Sequence, residues 1–186
     1  MRILVDVDGV VADLMGGFIA FASERGCVIQ RDKITAHHIS KSRGLEHLST
    51  TFDLDDMLRE FLCTDDCYED ILEIEDASYA INTLSRRHEL AFLTATMKSA
   101  PQSYASKFNW LQRRFPEIPV ISAPSEYKHW VAGDILIDDR YDACSRFSSA
   151  WPNGKMGASF LFSQPWNEAP KHIVRYDWDS ILFSLE

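Results

Sequence analysis

The chain has 186 residues, enough for about one domain with a small insertion. A hydrophobic fraction of 46% and a charged fraction of 25% are ordinary for a globular protein, which excludes disordered, collagen-like and disulfide-scaffold classes. The net charge of −9 repels polyanions, so we expect no polymeric nucleic-acid partner, whereas a small phosphorylated ligand stays compatible if local donors and a cation offset the charge.

The first predicted elements are a strand and a helix. Residues 2–7 form a short apolar run that ends in acids and a glycine, which is typical of a buried parallel strand. Apolar residues then recur every three or four positions from Val10 to Arg25, before Gly26, and predict a helix. The region from residue 28 to 75 is polar and acid-rich, with helical periodicity in pieces such as 54–62. We interpret it as a small, mostly helical insertion.

From residue 76 onward, predicted helices and strands alternate. The predicted helices cover 77–87, 102–115, 141–150 and a last segment capped by Asp177, and the predicted strands cover 89–94, 120–121, 134–137 and 158–162. This alternation predicts an α/β fold, a doubly wound parallel sheet with helices on both faces. In such folds ligands bind at the carboxyl ends of the strands. The polar residues at those ends are Asp6, Asp8, Thr94, Thr96, Asp138 and Asp139.

Membrane and disulfide chemistry are not expected. No apolar stretch approaches the roughly 20 residues of a transmembrane helix, and the start of the sequence lacks the apolar core of a signal peptide. We therefore expect a cytoplasmic protein without a membrane partner; its oligomeric state is left open. The four cysteines are irregularly spaced, which predicts free thiols, with Cys63 and Cys67 as neighbours on one helix face.

Four carboxylates stand at predicted strand ends. Asp6 and Asp8 follow the first strand, and Asp138 and Asp139 follow a later one. Such acids repel one another when they converge, so the set predicts a hard divalent cation with oxygen ligands, and Mg²⁺ if a substrate phosphate shares the coordination. The alternative is that strand-end acids merely cap helices or face water.

A phosphate-binding segment is predicted at the end of the strand over 89–94. Thr94 offers a hydroxyl and, with Ala95, free backbone N–H groups ahead of a helix. Lys128, ten residues before Asp138, is placed to neutralise a phosphate oxygen. Taken singly, the threonine is explained as a helix N-cap and the lysine as a solvated side chain.

The order of these residues resembles the haloacid dehalogenase-like (HAD) phosphohydrolases. The segment Asp6-Val7-Asp8-Gly9-Val10 is similar to the first motif of that superfamily, Thr94 to the second, Lys128 to the third and Asp138-Asp139 to the fourth. Within it, the chain resembles the 5′(3′)-deoxyribonucleotidases over residues 1–25 and 76–186. The further matching residues are Val11-Ala12-Asp13, Gly16-Gly17-Phe18, Asp134 to Arg140 and Asp177-Trp178.

The resemblance implies an architecture and an activity. The architecture is a Rossmann-like HAD core over 1–25 and 76–186, with a small helical cap over 26–75. The activity is Mg²⁺-dependent removal of phosphate from (deoxy)nucleoside monophosphates, so the expected partner is a small-molecule phosphate monoester and the expected enzyme class is a phosphoric monoester hydrolase.

The resemblance also implies roles for the motif residues. Asp6 attacks phosphorus to form an aspartyl phosphate, and Asp8 protonates the leaving oxygen, later deprotonates the attacking water, and lends its backbone carbonyl to the metal. Thr94, Ala95 and Lys128 bind the phosphate. Asp138 or Asp139 completes the metal site with Asp6 and Asp8, and we favour Asp138 because it is the first residue beyond the predicted strand.

The cap region departs from the family pattern. Family members place aromatic side chains around the base, whereas here Leu14 stands where an aromatic is often found and the cap offers His37-His38-Ile39, with Phe52 or Phe61 as candidate aromatics. We therefore expect a weaker or broader base preference. A sugar phosphate or a 3′-phosphate end is an alternative substrate. A phosphoacceptor signalling domain is a further alternative, disfavoured because the acidic pair comes late in the chain.

Overall fold

The computed structural model describes residues 1–150 and 157–185 as a parallel sheet flanked by helices. Its strands are β1 (Arg2–Val5), β2 (Glu89–Thr94), β3 (Val120–Ser122), β4 (Ile135–Asp138) and β5 (Ala158–Leu161). Its helices are α1 (Leu14–Glu24), α2 (Leu54–Leu62), α3 (Ala77–Ser85), α4 (Ser103–Arg114), α5 (Tyr141–Ala150) and α6 (Trp178–Leu185). The predicted α/β fold class is confirmed. None of the described helices is long and apolar enough to cross a membrane.

The strand order explains where a ligand would bind. All five strands are parallel, in the order β3-β2-β1-β4-β5, so β1 lies at the centre with Val5 paired to Phe92 of β2 and Ile137 of β4. The chain extends the sheet on one side of β1 with β2 and β3, then returns to the other side for β4 and β5. The crevice at the carboxyl ends of β1 and β4 is therefore the point where the direction of winding reverses.

The two faces of β1 pack into different hydrophobic clusters. Ile3 and Val5 belong to a large cluster that includes Phe18 of α1, whereas Leu4 belongs to a smaller cluster that includes Phe147 of α5. This division follows from the alternation of side chains along a strand. Helices thus cover both faces of the sheet, as predicted from the alternating pattern.

Helix α1 begins at Leu14 rather than at the predicted Val10. The backbone turns tightly after β1 because the Val7 carbonyl accepts hydrogen bonds from three successive N–H groups, those of residues 10, 11 and 12. Gly9 adopts a φ of +76°, which favours glycine. Asp13 then caps the helix, accepting a 3.0 Å hydrogen bond from the Gly16 N–H. The tight turn keeps the backbone after β1 close to the crevice.

The segment from residue 26 to 75 is less helical than predicted. Besides α2 it contains two single turns of 3₁₀ helix, Arg31–Lys33 and Ile39–Lys41, joined mainly by turns. Its apolar side chains, Ile39 and Leu58 among them, pack into the same cluster as Ile3 and Val5.

The ends of this segment are held together next to the crevice. The Asp13 N–H donates to the Leu72 carbonyl and the Ile74 N–H donates to the Val11 carbonyl, each at 2.8 Å. Ala12 and Glu73 form an antiparallel bridge between them. The chain therefore leaves and rejoins the sheet region where residues 11–13 pair with residues 72–74, a pairing that we call the paired neck.

The cysteines lie apart from any shared helix face. Cys63 is the C-cap of α2 and Cys67 lies in the turn beyond it, so the predicted i, i+4 helical pair is wrong. The helix ends earlier because the next N–H, that of Thr64, bonds to the Phe61 carbonyl three residues back instead of continuing the helical pattern, and Asp66 then adopts a φ of +52°. All four cysteines, which belong to the described part of the chain, are free thiols.

Candidate active site

Three carboxylates meet at the crevice between β1 and β4. Asp6 directly follows β1, and Asp138 and Asp139 are the last residue of β4 and the residue after it. One oxygen from each lies within 4.8 Å of the others. All three side chains are buried, with at most 5% of the residue surface exposed. Because β1 and β4 are neighbours in the sheet, acids that are far apart in the sequence converge here.

Lys128 lies inside this carboxylate cluster. Its Nζ is 2.7 Å from Asp6 Oδ2 and 2.8 Å from Asp138 Oδ2, and its side chain is 1% exposed. Burial by itself lowers the pKa of an ammonium group, but the charges of Asp138 and Asp6 outweigh that effect and raise the pKa of Lys128. The cluster therefore carries a fixed positive charge against three acids.

Most oxygens of the cluster already accept hydrogen bonds. Asp6 Oδ1 accepts from the Val7 N–H at 2.7 Å, and Asp138 Oδ1 accepts from the Arg140 N–H at 2.8 Å. Asp139 Oδ2 accepts from the Trp166 indole. Within residues 1–150 and 157–185, Asp139 Oδ1 is thus the one carboxylate oxygen of the three without a protein donor.

The cluster holds more negative charge than its surroundings neutralise. Burial, with the charge of Asp6 adding to it, raises the pKa of Asp138 to about 6 despite the opposing effect of Lys128. Burial and the charges of Asp138 and Asp6 raise the pKa of Asp139 well above its ordinary value. Clustered oxygen donors with unfavourable ionisation fit a hard divalent cation, which would stabilise their charged forms.

The Asp8 carboxylate is bound elsewhere and does not belong to the three-acid group found among the described residues. Lys107 Nζ is 2.7 Å from Asp8 Oδ2, and the Tyr68 hydroxyl donates to Asp8 Oδ1. Tyr68 is fully buried; burial and the charge of Asp8 raise its pKa well above the ordinary value, so the phenol keeps its proton. Asp8 therefore has two donors on its side of the crevice.

Lys107 also connects Asp8 to the end of β2. Its Nζ donates to Thr94 Oγ1 at 3.0 Å and to the Ala95 carbonyl at 2.8 Å. Sequence reasoning missed this lysine. A signal for it exists, since Lys107 belongs to the buried stripe of α4, with Trp110 and Leu111 three and four residues on, where a lysine is unusual unless it is paired.

The predicted phosphate-binding residues occupy different positions around the cavity. Thr94 is fully buried, and α4 begins at Ser103, one residue after the predicted start at 102, so residues 95–102 form a loop between the strand and the helix. Ala95 lies on the cavity wall. Thr96 lies there too, and its hydroxyl is buried without a hydrogen-bond partner in the part of the chain that the structure describes.

A loop after β5 is hydrogen-bonded to Gly9, after β1, and to Asp139, after β4. In this 164–167 loop, Gln164 Nε2 donates to the Gly9 carbonyl at 2.6 Å, Trp166 donates to the Asp139 side chain, and Asn167 donates to the Asp139 carbonyl. A Cβ on Gly9 would lie 2.5 Å from Asp139 Oδ2 and 3.1 Å from the Trp166 ring. Sequence reasoning overlooked this loop, because a tryptophan most often signals core packing.

A cavity of about 830 Å³ opens above the buried acids. Its inner end is lined by polar groups, among them Asp6, Asp8, Asp139, Lys107 and Tyr68. The rest of the lining, which we call the outer wall, includes the apolar side chains Leu14, Met15, Leu58, Leu62 and Met97. Its rim carries acids, including Asp53, Asp55 and Asp56.

The candidate aromatics of the 26–75 segment do not reach this cavity in the described structure. Phe61 is buried against Phe18 and Phe21, with ring centroids 6.4 and 5.2 Å away. Phe52 lies beside a separate, smaller cavity. The described lining of the large cavity therefore contains neither of the two phenylalanines.

Histidines from the 26–75 segment do line the cavity. His37 and His38 face it, and His37 Nε2 is 3.2 Å from the Arg140 guanidinium, which also lines the cavity. Desolvation, followed by the charge of Arg140, lowers the pKa of His37 to about 4. His37 is therefore neutral at pH 7 and accepts a hydrogen bond from Arg140.

Comparisons with known proteins agree with this geometry. Residues 1–181 match the family model "5' nucleotidase, deoxy (Pyrimidine), cytosolic type C protein". Among solved structures, the chain is similar to the HAD-hydrolase YfnB from Bacillus subtilis bound to magnesium, with 14% identity and a TM-score of 0.62 over 100% of this chain and 98% of that one. No curated protein matches the chain.

Two further solved structures share the fold. A HAD family hydrolase from Deinococcus radiodurans R1 with bound phosphate and sodium has 14% identity and a TM-score of 0.57, covering 99% of this chain and 94% of that one. A subfamily IA HAD-superfamily hydrolase from Geobacter sulfurreducens has 16% identity and a TM-score of 0.52, covering 100% and 96%. At such identities the likeness establishes the HAD fold.

The family match spans nearly the whole chain and agrees with the resemblance seen in the sequence. The fold, the acids at the ends of β1 and β4, and this match point to one conclusion. The chain belongs to the 5′ nucleotidase, deoxy (pyrimidine), cytosolic type C family and is a phosphoric monoester hydrolase.

Proposed function

We propose that the protein is a Mg²⁺-dependent phosphatase that hydrolyses (deoxy)nucleoside monophosphates to nucleoside and phosphate. The observation that carries the proposal is the meeting of Asp6, Asp138 and Asp139 around Lys128, with Asp6 and Asp139 forming part of the lining of a cavity that also has an apolar wall. Membership of a nucleotidase family supports the substrate class.

The donor set supports a metal site with Asp139 as a direct ligand. The sequence favoured Asp138, but Asp138 is 0% exposed and is not part of the described cavity lining, whereas Asp139 lines the cavity and its Oδ1 has no donor among the described residues. Asp6 would share the ion with Asp139, and Asp8 would contribute its backbone carbonyl. A bound Mg²⁺ would neutralise phosphate oxygens.

Asp6 is the proposed nucleophile. Its carboxylate lines the inner end of the cavity and is held by Lys128 and the Val7 N–H. An Asp6 oxygen bonds to phosphorus while the bond from phosphorus to the ester oxygen breaks, which gives an aspartyl phosphate and the leaving alcohol. Water then attacks phosphorus, the bond to Asp6 breaks, and inorganic phosphate leaves.

Asp8 is the proposed proton carrier for both steps. It gives a proton to the leaving ester oxygen and takes one from the attacking water, so it returns to its starting state after each turnover. Its carboxylate lines the cavity beside Asp6, and Lys107 and Tyr68 fix its direction. These contacts keep Asp8 clear of the three-acid group.

Two cations and a hydroxyl support phosphate binding. Lys107 lines the cavity and donates to Asp8 and Thr94, whereas Lys128 is buried against Asp6. We infer that Lys107 shares the role that the sequence assigned to Lys128, and that the Thr96 hydroxyl, which has no hydrogen-bond partner among the described residues, supplies a further donor. Thr94 would act indirectly, because its hydroxyl accepts a hydrogen bond from Lys107 and so orients that side chain.

The outer cavity supports a substrate larger than phosphate. The volume of the whole cavity, about 830 Å³, falls within the roughly 300–1,000 Å³ of small-molecule sites. The apolar side chains of the wall fit the faces of a base, to which Phe52 and Phe61 supply no stacking in the described structure. The absence of Phe52 and Phe61 from the described wall favours, as a second candidate, a non-aromatic phosphate monoester such as a sugar phosphate.

A phosphate-release screen tests the proposal. Purified protein is given dUMP, dTMP, dGMP, a 3′-nucleotide and a sugar phosphate, each with Mg²⁺ or with excess chelator. We expect one deoxynucleoside monophosphate to have the highest kcat/KM, and chelation to abolish turnover until Mg²⁺ is restored. A sugar phosphate better than every nucleotide by tenfold would contradict the nucleotidase assignment, and full activity in chelator would contradict the metal dependence.

A further inference from the structure

Trp166 places a single neutral donor on the acid proposed to bind the metal. Its indole Nε1–H donates to Asp139 Oδ2, and the residue is 5% exposed. We propose that Trp166 is a positioning residue that fixes the orientation of Asp139, occupying Oδ2 so that Oδ1 is presented to the cation. This inference rests on the proposed function, since it assigns a role within the same metal site.

The loop that carries Trp166 is attached to both sides of the site. Asn167 donates to the Asp139 carbonyl, so the backbone and the side chain of the acid are held by consecutive residues. Asn167 Oδ1 accepts the Gln164 N–H at 2.8 Å, which fixes the loop internally. Gln164 donates to the Gly9 carbonyl, which joins the loop to the turn after β1. Asp139 is therefore held against the backbone that carries Asp6 and Asp8.

The indole lines the cavity but is only 5% exposed, because neighbouring groups pack against it. On one side it lies against Gly9, where a Cβ would come within 3.1 Å of the ring. The Arg31 guanidinium lies 5.6 Å from the ring centroid, within the range of a cation–π contact. Arg31 is fixed by Asp13, whose two oxygens are 2.6 and 2.7 Å from Nη1. The indole donor thus has little freedom to leave Asp139.

A tryptophan suits this position chemically. An indole offers one N–H donor, carries no charge and has no acceptor nitrogen, so it orients a carboxylate without neutralising it. A lysine or arginine there would add a second positive charge to that of Lys128 and compete with the cation for Asp139. Partners that hold metal ligands typically change metal affinity about 10–100-fold when they are removed. Fixing one Asp139 oxygen also limits the rotamers available to three acids crowded within 4.8 Å.

The test compares two conservative substitutions by their effect on metal affinity. Trp166→Phe removes the donor and keeps a ring. Trp110→Phe is the matched control, because Trp110 is fully buried and donates at 2.9 Å to the Ile71 carbonyl, away from the acids. The Kd of Mn²⁺ is measured from the electron paramagnetic resonance signal of free Mn²⁺. We expect about a tenfold or larger rise in Kd for Trp166→Phe and less than a twofold change for Trp110→Phe.

A second measurement uses the unmodified protein and does not depend on the folding of Trp166→Phe. The protein is labelled with [¹⁵N]tryptophan, and the five indole N–H resonances are assigned by single Trp→Phe variants at the other four positions. We expect Mg²⁺ to shift the Trp166 indole resonance most. An unchanged Trp166 resonance under saturating Mg²⁺, or a Trp166→Phe Kd within twofold of the unmodified value, overturns the inference.

The failure of this inference and that of the proposed function give different results. If the unmodified protein binds Mn²⁺ and releases phosphate in a metal-dependent way while Trp166→Phe does the same with equal affinity, only the role of Trp166 is wrong. If the unmodified protein binds no Mn²⁺ and its phosphate release is insensitive to chelator, the metal site is wrong, and the role of Trp166 falls with it.

Discussion

The two ends of the cavity are built on different physical principles. At the inner end, Asp6, Asp8 and Asp139 each accept hydrogen bonds from buried or backbone donors. At the outer end, Leu58 and Met97 offer only apolar contact. Electrostatic interactions at a desolvated site depend steeply on position, whereas apolar contact tolerates exchange of side chains. We therefore expect substitutions at the inner end to change the rate, and those at the outer end to change mainly substrate preference.

The largest predicted effect is that of Asp6→Asn. The amide is nearly isosteric but a poor nucleophile, so we expect kcat to fall roughly 10³-fold or more without loss of fold. The control is Asp53→Asn on the outer rim, which removes the same charge and keeps a side chain able to cap α2. Its kcat should stay within about threefold of the unmodified value.

Phosphate-release rates and thermal melting decide this comparison. Unmodified turnover by Asp6→Asn would contradict the covalent mechanism, and an equal loss in Asp53→Asn would erase the distinction between the two ends of the cavity.

The second prediction concerns pH and the metal. The pKa of Asp138 is raised to about 6 by burial and by Asp6, so between about pH 4 and 6 the folded protein binds more protons than the unfolded chain. The stability contributed by these acids therefore falls as pH rises through that window. A bound cation opposes this loss of stability, because it binds the ionised carboxylates. Below the pKa of these acids, the affinity for the cation falls about tenfold per pH unit for each proton that the cation displaces.

Thermal melting measures this linkage. We expect Mg²⁺ to raise Tm clearly at pH 7.5 and by little at pH 5, with metal-free sucrose solutions of equal osmolarity as the control for non-specific stabilisation. An equal Mg²⁺-induced shift at both pH values would show that the buried acids do not hold the ion.

A smaller effect is predicted for Tyr68→Phe. The variant removes one donor to Asp8, which should lower kcat for a nucleotide about tenfold, the equivalent of one hydrogen bond to a charged group of about 1.5 kcal/mol. The loss should be less for p-nitrophenyl phosphate, whose leaving group needs little protonation. Tyr79→Phe, at an exposed tyrosine on α3, is the control. Equal losses for both substrates would count against a role through Asp8.

The smallest predicted effect is that of Met97→Ala on the outer wall. Met97 is 37% exposed, so its truncation should leave stability nearly unchanged. We expect KM for deoxynucleoside monophosphates to rise about two- to fivefold with kcat unaffected, since the contact of this partly exposed side chain is equivalent to burying about one methylene group, or about 0.8 kcal/mol. Steady-state kinetics with dUMP and dGMP would detect this rise in KM. A larger loss of kcat than of affinity would contradict the expectation that the outer wall affects substrate binding rather than rate.

The sequence predicted the residues that backbone position alone determines. Acids placed directly after apolar strands converge whenever those strands are neighbours, which is why the order of residues along the chain suffices to indicate Asp6, Asp138 and Asp139. The strand over 89–94 was predicted to the residue for the same reason, since its apolar run has clear ends.

The residues that escaped prediction depend on how elements pack together. Lys107 on α4 is 99 residues from Asp8 in the sequence and Tyr68, in the turn after α2, is 60 residues from it, so both contacts exist only through tertiary packing. Neither approach leaves a local sequence signal except the lysine within an otherwise buried stripe. Phe61 illustrates the converse, because an aromatic that composition suggested for the base packs instead against Phe18 and Phe21.

The paired neck has a consequence for how this scaffold can vary. Because the backbone at Val11 and Asp13 is hydrogen-bonded directly to Ile74 and Leu72, the two ends of the intervening segment are already closed on each other. The entropic cost of closing a loop rises only slowly with its length, by about 0.6 kcal/mol per doubling. Insertions and deletions between the two sides of the neck therefore change the length of the intervening segment at a small cost in loop-closure entropy. They alter what reaches over the cavity while the register of β1 against β2 and β4, and with it the position of Asp6, is preserved.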